Sequence, residues 1–187
     1  MSEACKTMNM ERENGFTLIE LLITIVVVSI LLATGVPSVI QMVKNNRVTT
    51  QANKLVTAIQ LARNEAVKRE TRTTICAANA NLDDCSSSTT WTNGWIVFSN
   101  LNGDMAADTG TDACLETEDC LMRASEGVID STLTGDDTAI HFLPTGYTDN
   151  GPVTFTLKVD NCEQQQQRSI IVTLQGHTSI ARQACTP

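Results

Sequence analysis

Residues 15–36 read GFTLIELLITIVVVSILLATGV. From Phe16 to Val36 that is 21 residues with one charge, Glu20. As a helix rising about 1.5 Å per residue, the run is roughly 31 Å long, about one bilayer hydrocarbon core. It is long for a secretory signal, whose shorter apolar region ends at a small-residue cleavage site. The run is therefore expected to insert in a membrane as a single helix. Before it, Lys6 and Arg12 stand against Glu3, Glu11 and Glu13; after it come Lys44 and Arg47. Flanking charge gives the span no clear orientation.

Working outward, apolar residues recur at Ile40, Val43, Val48, Ala52, Leu55, Ile59, Ala62, Ala66 and Val67. Steps of mostly three, four or seven mark one stripe of a helix. Gln41, Lys44, Asn45, Gln51, Lys54, Arg63 and Glu65 take the other faces. One helix is thus expected from Phe16 to about Glu70, apolar all round over 16–36 and amphipathic over 37–70. A kink is expected at Gly35–Pro37, because proline withholds a donor and crowds the preceding turn.

The amphipathic stripe needs a partner surface. Seven short β-rich segments follow: Arg72–Ala77, Trp95–Ser99, Cys120–Ala124, Ala139–Leu143, Val153–Val159, Ser169–Leu174 and Thr178–Arg182. Asn93–Gly94, Gly135–Asp136–Asp137, Gly146, Asn150–Gly151–Pro152 and Gly176 separate several of them as turns. Gln164–Gln167 reads as a hairpin loop. The fold class is expected to be α+β, a long kinked N-terminal helix packed on an antiparallel β-sheet domain over 71–187.

The chain has 187 residues, with 13 Lys plus Arg against 21 Asp plus Glu, a formal charge of −8. That balance argues against a whole-surface grip on nucleic acid, which needs a cationic face. There is no P-loop, G-x-G-x-x-G or G-x-S-x-G. His141 falls on a strand and His177 in a turn, neither at ligand spacing, so both are read as structural. Asn100, Asn102, Asp104 and Asp108 could suggest calcium. The glycine and closing glutamate of an EF-hand loop are out of register, so the stretch is read as a turn-rich loop. Trp91, Trp95 and Phe98 are read as core. The expectation is a protein that is not an enzyme and holds no cofactor or metal.

GFTLIELL resembles the class III signal of type IV pilins and type II secretion pseudopilins. The resemblance implies that a prepilin peptidase cuts after Gly15, removing residues 1–15, and that Phe16 becomes a methylated N-terminus. It also implies that 16–36 stays in the protein as membrane span and filament core. The family's acidic residue falls on Glu20 and its helix-interrupting proline on Pro37. The chemistry is coherent with this. A lone carboxylate in a span costs about 2.5–3.5 kcal/mol at mid-bilayer. Glu20 lies about 6 Å along the axis from Phe16. A freed α-amino group is cationic near neutral pH, so the amine of one subunit can neutralise the Glu20 of its neighbour.

A second resemblance lies in LARNEAVKRETRTTIC (Leu61–Cys76), WTNGWIVF (Trp91–Phe98), AIHFLPTGYT (Ala139–Thr148) and RSIIVTLQGHTSI (Arg168–Ile180). In this order they resemble the GspH/FimT group, which includes FimU-like proteins. The implied function is that of a structural minor pilin or pseudopilin. It would sit in the bacterial inner membrane with its C-terminal domain in the periplasm, then join a pilus or pseudopilus. Implied partners are other minor and major pilins and the prepilin peptidase. The alternative is a pilus-tip DNA receptor for natural transformation, as some FimT-like relatives are. Those relatives have a basic C-terminal segment. Here GHTSIARQACTP holds only Arg182 and His177, and loss of residues 1–15 leaves a charge of −7.

Cys5 would leave with the leader, so six cysteines remain: Cys76, Cys85, Cys114, Cys120, Cys162 and Cys185. An oxidising compartment permits disulfides. Fifteen full pairings exist for six cysteines. Sequence neighbours are the expected pairs: Cys76–Cys85, Cys114–Cys120 and Cys162–Cys185.

Overall fold

The computed structural model describes residues 16–99 and 120–186. One helix, α1 (Leu18–Arg69), is followed by eight strands. These are β1 (Thr73–Ala77), β2 (Gly94–Ser99), β3 (Cys120–Glu126), β4 (Ser131–Gly135), β5 (Ala139–Phe142), β6 (Val153–Val159), β7 (Gln167–Val172) and β8 (Thr178–Gln183). The chain divides into two compact units, Met1–Met42 and Val43–Pro187.

In the first unit the described residues are helical from Leu18 onward. Thr17 begins the helix: its hydroxyl accepts the N–H of Glu20 at 3.3 Å, and its carbonyl accepts that of Leu21 at 3.2 Å. Leu21 to Ile23 and Ile25 to Val28 are each at least 50% exposed, and these positions take in every face. Polar side chains along the run bond back to the helix. Thr24 donates to the Leu21 carbonyl at 2.8 Å and Ser29 to that of Ile25 at 2.7 Å. Neither hydroxyl is thereby left to be solvated by hydrocarbon. The helix continues through Gly35 and Pro37 without a break.

In the second unit, Val48, Ala52, Leu55, Ala58, Ile59, Ala62 and Ala66 are buried as the helix stripe. Four of these are alanines, small enough for strands to approach the helix backbone closely. Ala58 extends the expected stripe, whereas Ile40, Val43 and Val67 remain about half exposed. All strand pairs are antiparallel and form two four-stranded sheets, ordered β3-β2-β1-β5 and β4-β6-β7-β8. Both contribute to one core around the helix. Ile75, Trp95, Val97, Ile140 and Phe142 come from the first sheet, and Leu133, Phe155, Leu157, Ile170 and Val172 from the second. Each such side chain contributes about 1.5–3 kcal/mol through burial. The rings of Trp91 and Phe155 stand nearly perpendicular with centroids 4.8 Å apart, and the Trp91 indole N–H donates to the Asp137 carbonyl at 3.0 Å.

The strand expectations need correction in places. Among the described residues there are eight strands against the seven expected, and they form two antiparallel sheets. The unforeseen strand, β4, reads STLTG and has one strong hydrophobe, Leu133, too weak a period for recognition. Gly135 ends that strand instead of opening a turn. β7 begins at Gln167, within the expected hairpin loop. Leu174 lies in the turn to β8, closed by the Thr173 N–H to the His177 carbonyl at 2.9 Å.

Two motif glycines have local reasons. Gly94 of WTNGW has φ +130°, and a Cβ there would run into the Ser125 carbonyl of β3. Gly146 of FLPTG has φ +80° and packs on the helix, where the Arg63 Nε donates to its carbonyl at 3.0 Å. In both places a side chain would meet strained backbone.

Candidate functional site

Phe16 lies just ahead of the helix and is 82% exposed. Glu20 sits in the first turn, where the unpaired N–H groups and the helix dipole favour a negative charge. Thr17-Leu18-Ile19-Glu20 has the T-x-x-E spacing of a capping box, and its Thr17 half is formed. Thr17 thus joins the site as a residue that the motif alone leaves without a role, although its spacing from Glu20 is plain in the sequence. Phe16, Thr17 and Glu20 make one compact end: an exposed aromatic, a capping hydroxyl and a single carboxylate ahead of an uncovered apolar helix. Gly15 and the expected cleavage point before Phe16 lie at or beyond the limit of the described residues. Gly35 has no atom within 4 Å of where a Cβ would stand, so the helix surface there is open.

The cysteines work elsewhere. A disulfide joins Cys76 of β1 to Cys85, with Cα atoms 5.6 Å apart. It holds the 78–85 loop on the outer face of the first sheet, where Leu82 and Cys85 cover Ile96 and Phe98. A second joins Cys162 to Cys185, Cα atoms 5.8 Å apart. The C-terminal segment is tied there also by the Cys185 N–H to the Gln164 carbonyl at 3.0 Å and the Thr186 N–H to Gln167 Oε1 at 3.1 Å. Cys120 is disulfide-bonded too. Cys114, its expected partner, lies outside the described residues, as do Cys5 and the calcium candidates Asn100, Asn102, Asp104 and Asp108.

His141 is half-buried on β5, its Nδ1 2.9 Å from the Thr74 hydroxyl. Burial pushes its pKa below the ordinary histidine value. The nearby Arg72 guanidinium adds to this and Asp137 opposes it. Arg72 itself is ion-paired with Asp149. His177 is exposed in the β7–β8 turn. Trp91, Trp95 and Phe98 are at most 1% exposed and belong to the core. Arg168 of β7 is 2% exposed. It donates to the carbonyls of Gln165 and Gln167 and to the Thr49 hydroxyl, at 2.8, 3.0 and 3.3 Å.

Comparison with known proteins places this architecture. The GspH family, described as type II transport protein GspH, matches residues 51–176, and the prokaryotic N-terminal methylation motif matches residues 10–36. No curated protein matches the chain. Two crystal forms of the type IV minor pilin FimU of Pseudomonas aeruginosa are similar in fold. One has TM-score 0.54 and 18% identity, covering 74% of this chain and 99% of FimU. The other has TM-score 0.54 and 19% identity, covering 75% and 96%. The minor pseudopilin EpsH of the Vibrio cholerae type II secretion system aligns at TM-score 0.48 and 11% identity, over 73% of this chain and 97% of EpsH. The structural likeness speaks to fold. The GspH match covers more than half of the chain and follows a methylation motif, so the chain belongs to the GspH family of minor pilins and pseudopilins.

Proposed function

We propose that the protein is a structural subunit of a type IV pilus or type II secretion filament, without enzymatic turnover. A prepilin peptidase removes residues 1–15 after Gly15 and Phe16 is methylated. The 16–36 helix then anchors the chain across the inner membrane, with the domain beyond it in the periplasm. On assembly the same helix leaves the bilayer and packs against the helices of neighbouring pilins, with Gly35 and Pro37 giving it a place to bend. The observation that carries this reading is the apolar helix exposed on every face with one carboxylate in its first turn. Such a surface is stable only in lipid or against other apolar helices. Glu20 then serves as the register point. Inside hydrocarbon or a helix bundle its charge is costly unless met by a cation, and the α-amino group of a neighbour is a cation at the matching depth.

The test is Glu20→Leu in cells. Membrane insertion and the mass of the processed N-terminus are expected to stay unchanged, while recovery in sheared filaments falls below detection. Filaments containing the variant at wild-type level would overturn the pairing. A wild-type product still starting at Met1 beside an active peptidase would overturn the processing.

A further inference from the structure

The two sheets have four edges, and three of them are protected. The edge of β4 is covered by the segment before Trp91: the Trp91 N–H donates to the Leu133 carbonyl and the Gly135 N–H to that of Thr89, both at 2.9 Å. The edge of β5 is covered by the segment after Gly146, through the Phe142–Thr148 bridge and the Asp149 N–H to the His141 carbonyl at 3.1 Å. β3 has a register shift against β2 and carries the charged Arg123 and Glu126. Bulges and charges are the usual means of blunting an edge. β8 carries one charge, Arg182, but among the described residues it has neither covering nor bulge. It pairs with β7 on one side over all six residues, and among the described residues its backbone bonds nothing on the other. Its residues from Ser179 to Gln183 are exposed, including Ile180 at 41%.

The same strand carries an unanswered charge. Arg168 and Arg182 are direct cross-strand partners, so their side chains share one face. Arg168 is buried there on carbonyl and hydroxyl acceptors alone. Among the described residues neither arginine makes an ion pair, and the like charge of Arg182 bears on Arg168. Like charges directly opposite in a ladder are destabilising, and buried cations are ordinarily paired. This strained pair sits in a chain of net charge −8 with carboxylates to spare.

We propose that β8 takes an extended acidic segment of another polypeptide chain as an additional strand, with a carboxylate of that segment opposite Arg182. The backbone edge supplies the ladder and the arginine pair supplies the charge preference, the two components of strand addition. A residue opposite Arg182 on the incoming strand has its Cβ about 4.5–5.5 Å away, within ion-pair reach. A second copy joined β8 to β8 offers only Ser, Thr, Ala, Ile, Gln and Arg side chains across the seam, which leaves the arginines unanswered. A nucleic acid can meet Arg182 with phosphate but cannot use the ladder. Strand addition at β8 is independent of the assembly role of the N-terminal helix.

The experiment uses the full chain in detergent and a fluorescent peptide alternating threonine and glutamate, read by anisotropy at low salt. The peptide is expected to bind, and Arg182→Gln to weaken it about tenfold or more, as loss of a charge-assisted bond does. Arg182→Lys should retain much of the affinity, and circular dichroism should show all variants folded. A peptide alternating proline and glutamate has the same charge but cannot join a ladder, and it should bind at least about tenfold more weakly. Equal binding of the proline peptide, unchanged affinity in Arg182→Gln or no binding at all would each overturn the proposal. So would tighter binding of a thymidine oligonucleotide, or self-association through β8 without peptide.

Discussion

Single residues in this protein act through contacts that are named easily and replaced with difficulty. Trp91 fills the core between the sheets, packs perpendicular to Phe155 and ties its N–H to the Asp137 carbonyl. Trp91→Ala removes the ring and the bond together, and thermal or urea unfolding should show a loss of about 3–5 kcal/mol. His141 predicts a pH dependence. Burial lowers its folded pKa, so at neutral pH the folded ring is neutral, whereas the unfolded ring takes up a proton near its usual value. Below about pH 6.5 the unfolded chain binds more protons, so stability should fall as pH drops from neutrality towards 5. His141→Gln should flatten that part of the profile in denaturation curves, and an unchanged slope would assign the loss to other groups. Glu20 and Thr17 differ in kind, since their neighbours within the unit are only the first turn of the helix. Their importance comes from what meets that turn.

At the scale of elements, the helix holds two different surfaces on one periodic backbone. Its first part is apolar on all sides, and its later part is a stripe of alanine and branched residues. The disulfides act on loops. Cys76–Cys85 closes a separation of 9 residues and Cys162–Cys185 one of 23. By loop-closure entropy each stabilises by about 3 kcal/mol, the longer loop slightly more. Cys162→Ser with Cys185→Ser should therefore lower the unfolding free energy by about 2–4 kcal/mol and free the segment after β8. Hydrogen exchange should then rise at Cys185 and Thr186, whose N–H groups are held now. Protection unchanged at those amides would show that the hydrogen bonds alone hold the segment.

For the whole molecule, the helix stripe from Val48 to Ala66 and the inner faces of both sheets form one core within Val43–Pro187. A chain beginning at Val43 should fold in water without detergent, with a cooperative melt and a monomeric elution volume, whereas the full chain should need detergent. A truncated chain that stays unfolded would show that the first helix part contributes to folding as well as to anchoring. Much of this design is local, and the amino-acid sequence carries it openly. The apolar run, its lone Glu20, the helical stripe and most strands follow from periodicity and transfer energy, which neighbouring residues set among themselves. The Thr17 cap is equally legible in its T-x-x-E spacing. Other features are not. Val43 and Val67 lie on the stripe in sequence yet stay about half exposed, because burial depends on where the sheets reach. Ser131–Gly135 becomes a strand only because β6 lies beside it. Arg168 is buried, Arg182 faces it, and β8 has an edge with no cover among the described residues, because strands distant in sequence take their neighbours from chain topology. Local pattern determined which elements form, and tertiary contact decided which surfaces they leave open, since pairing and coverage are free energies shared between residues far apart in the chain.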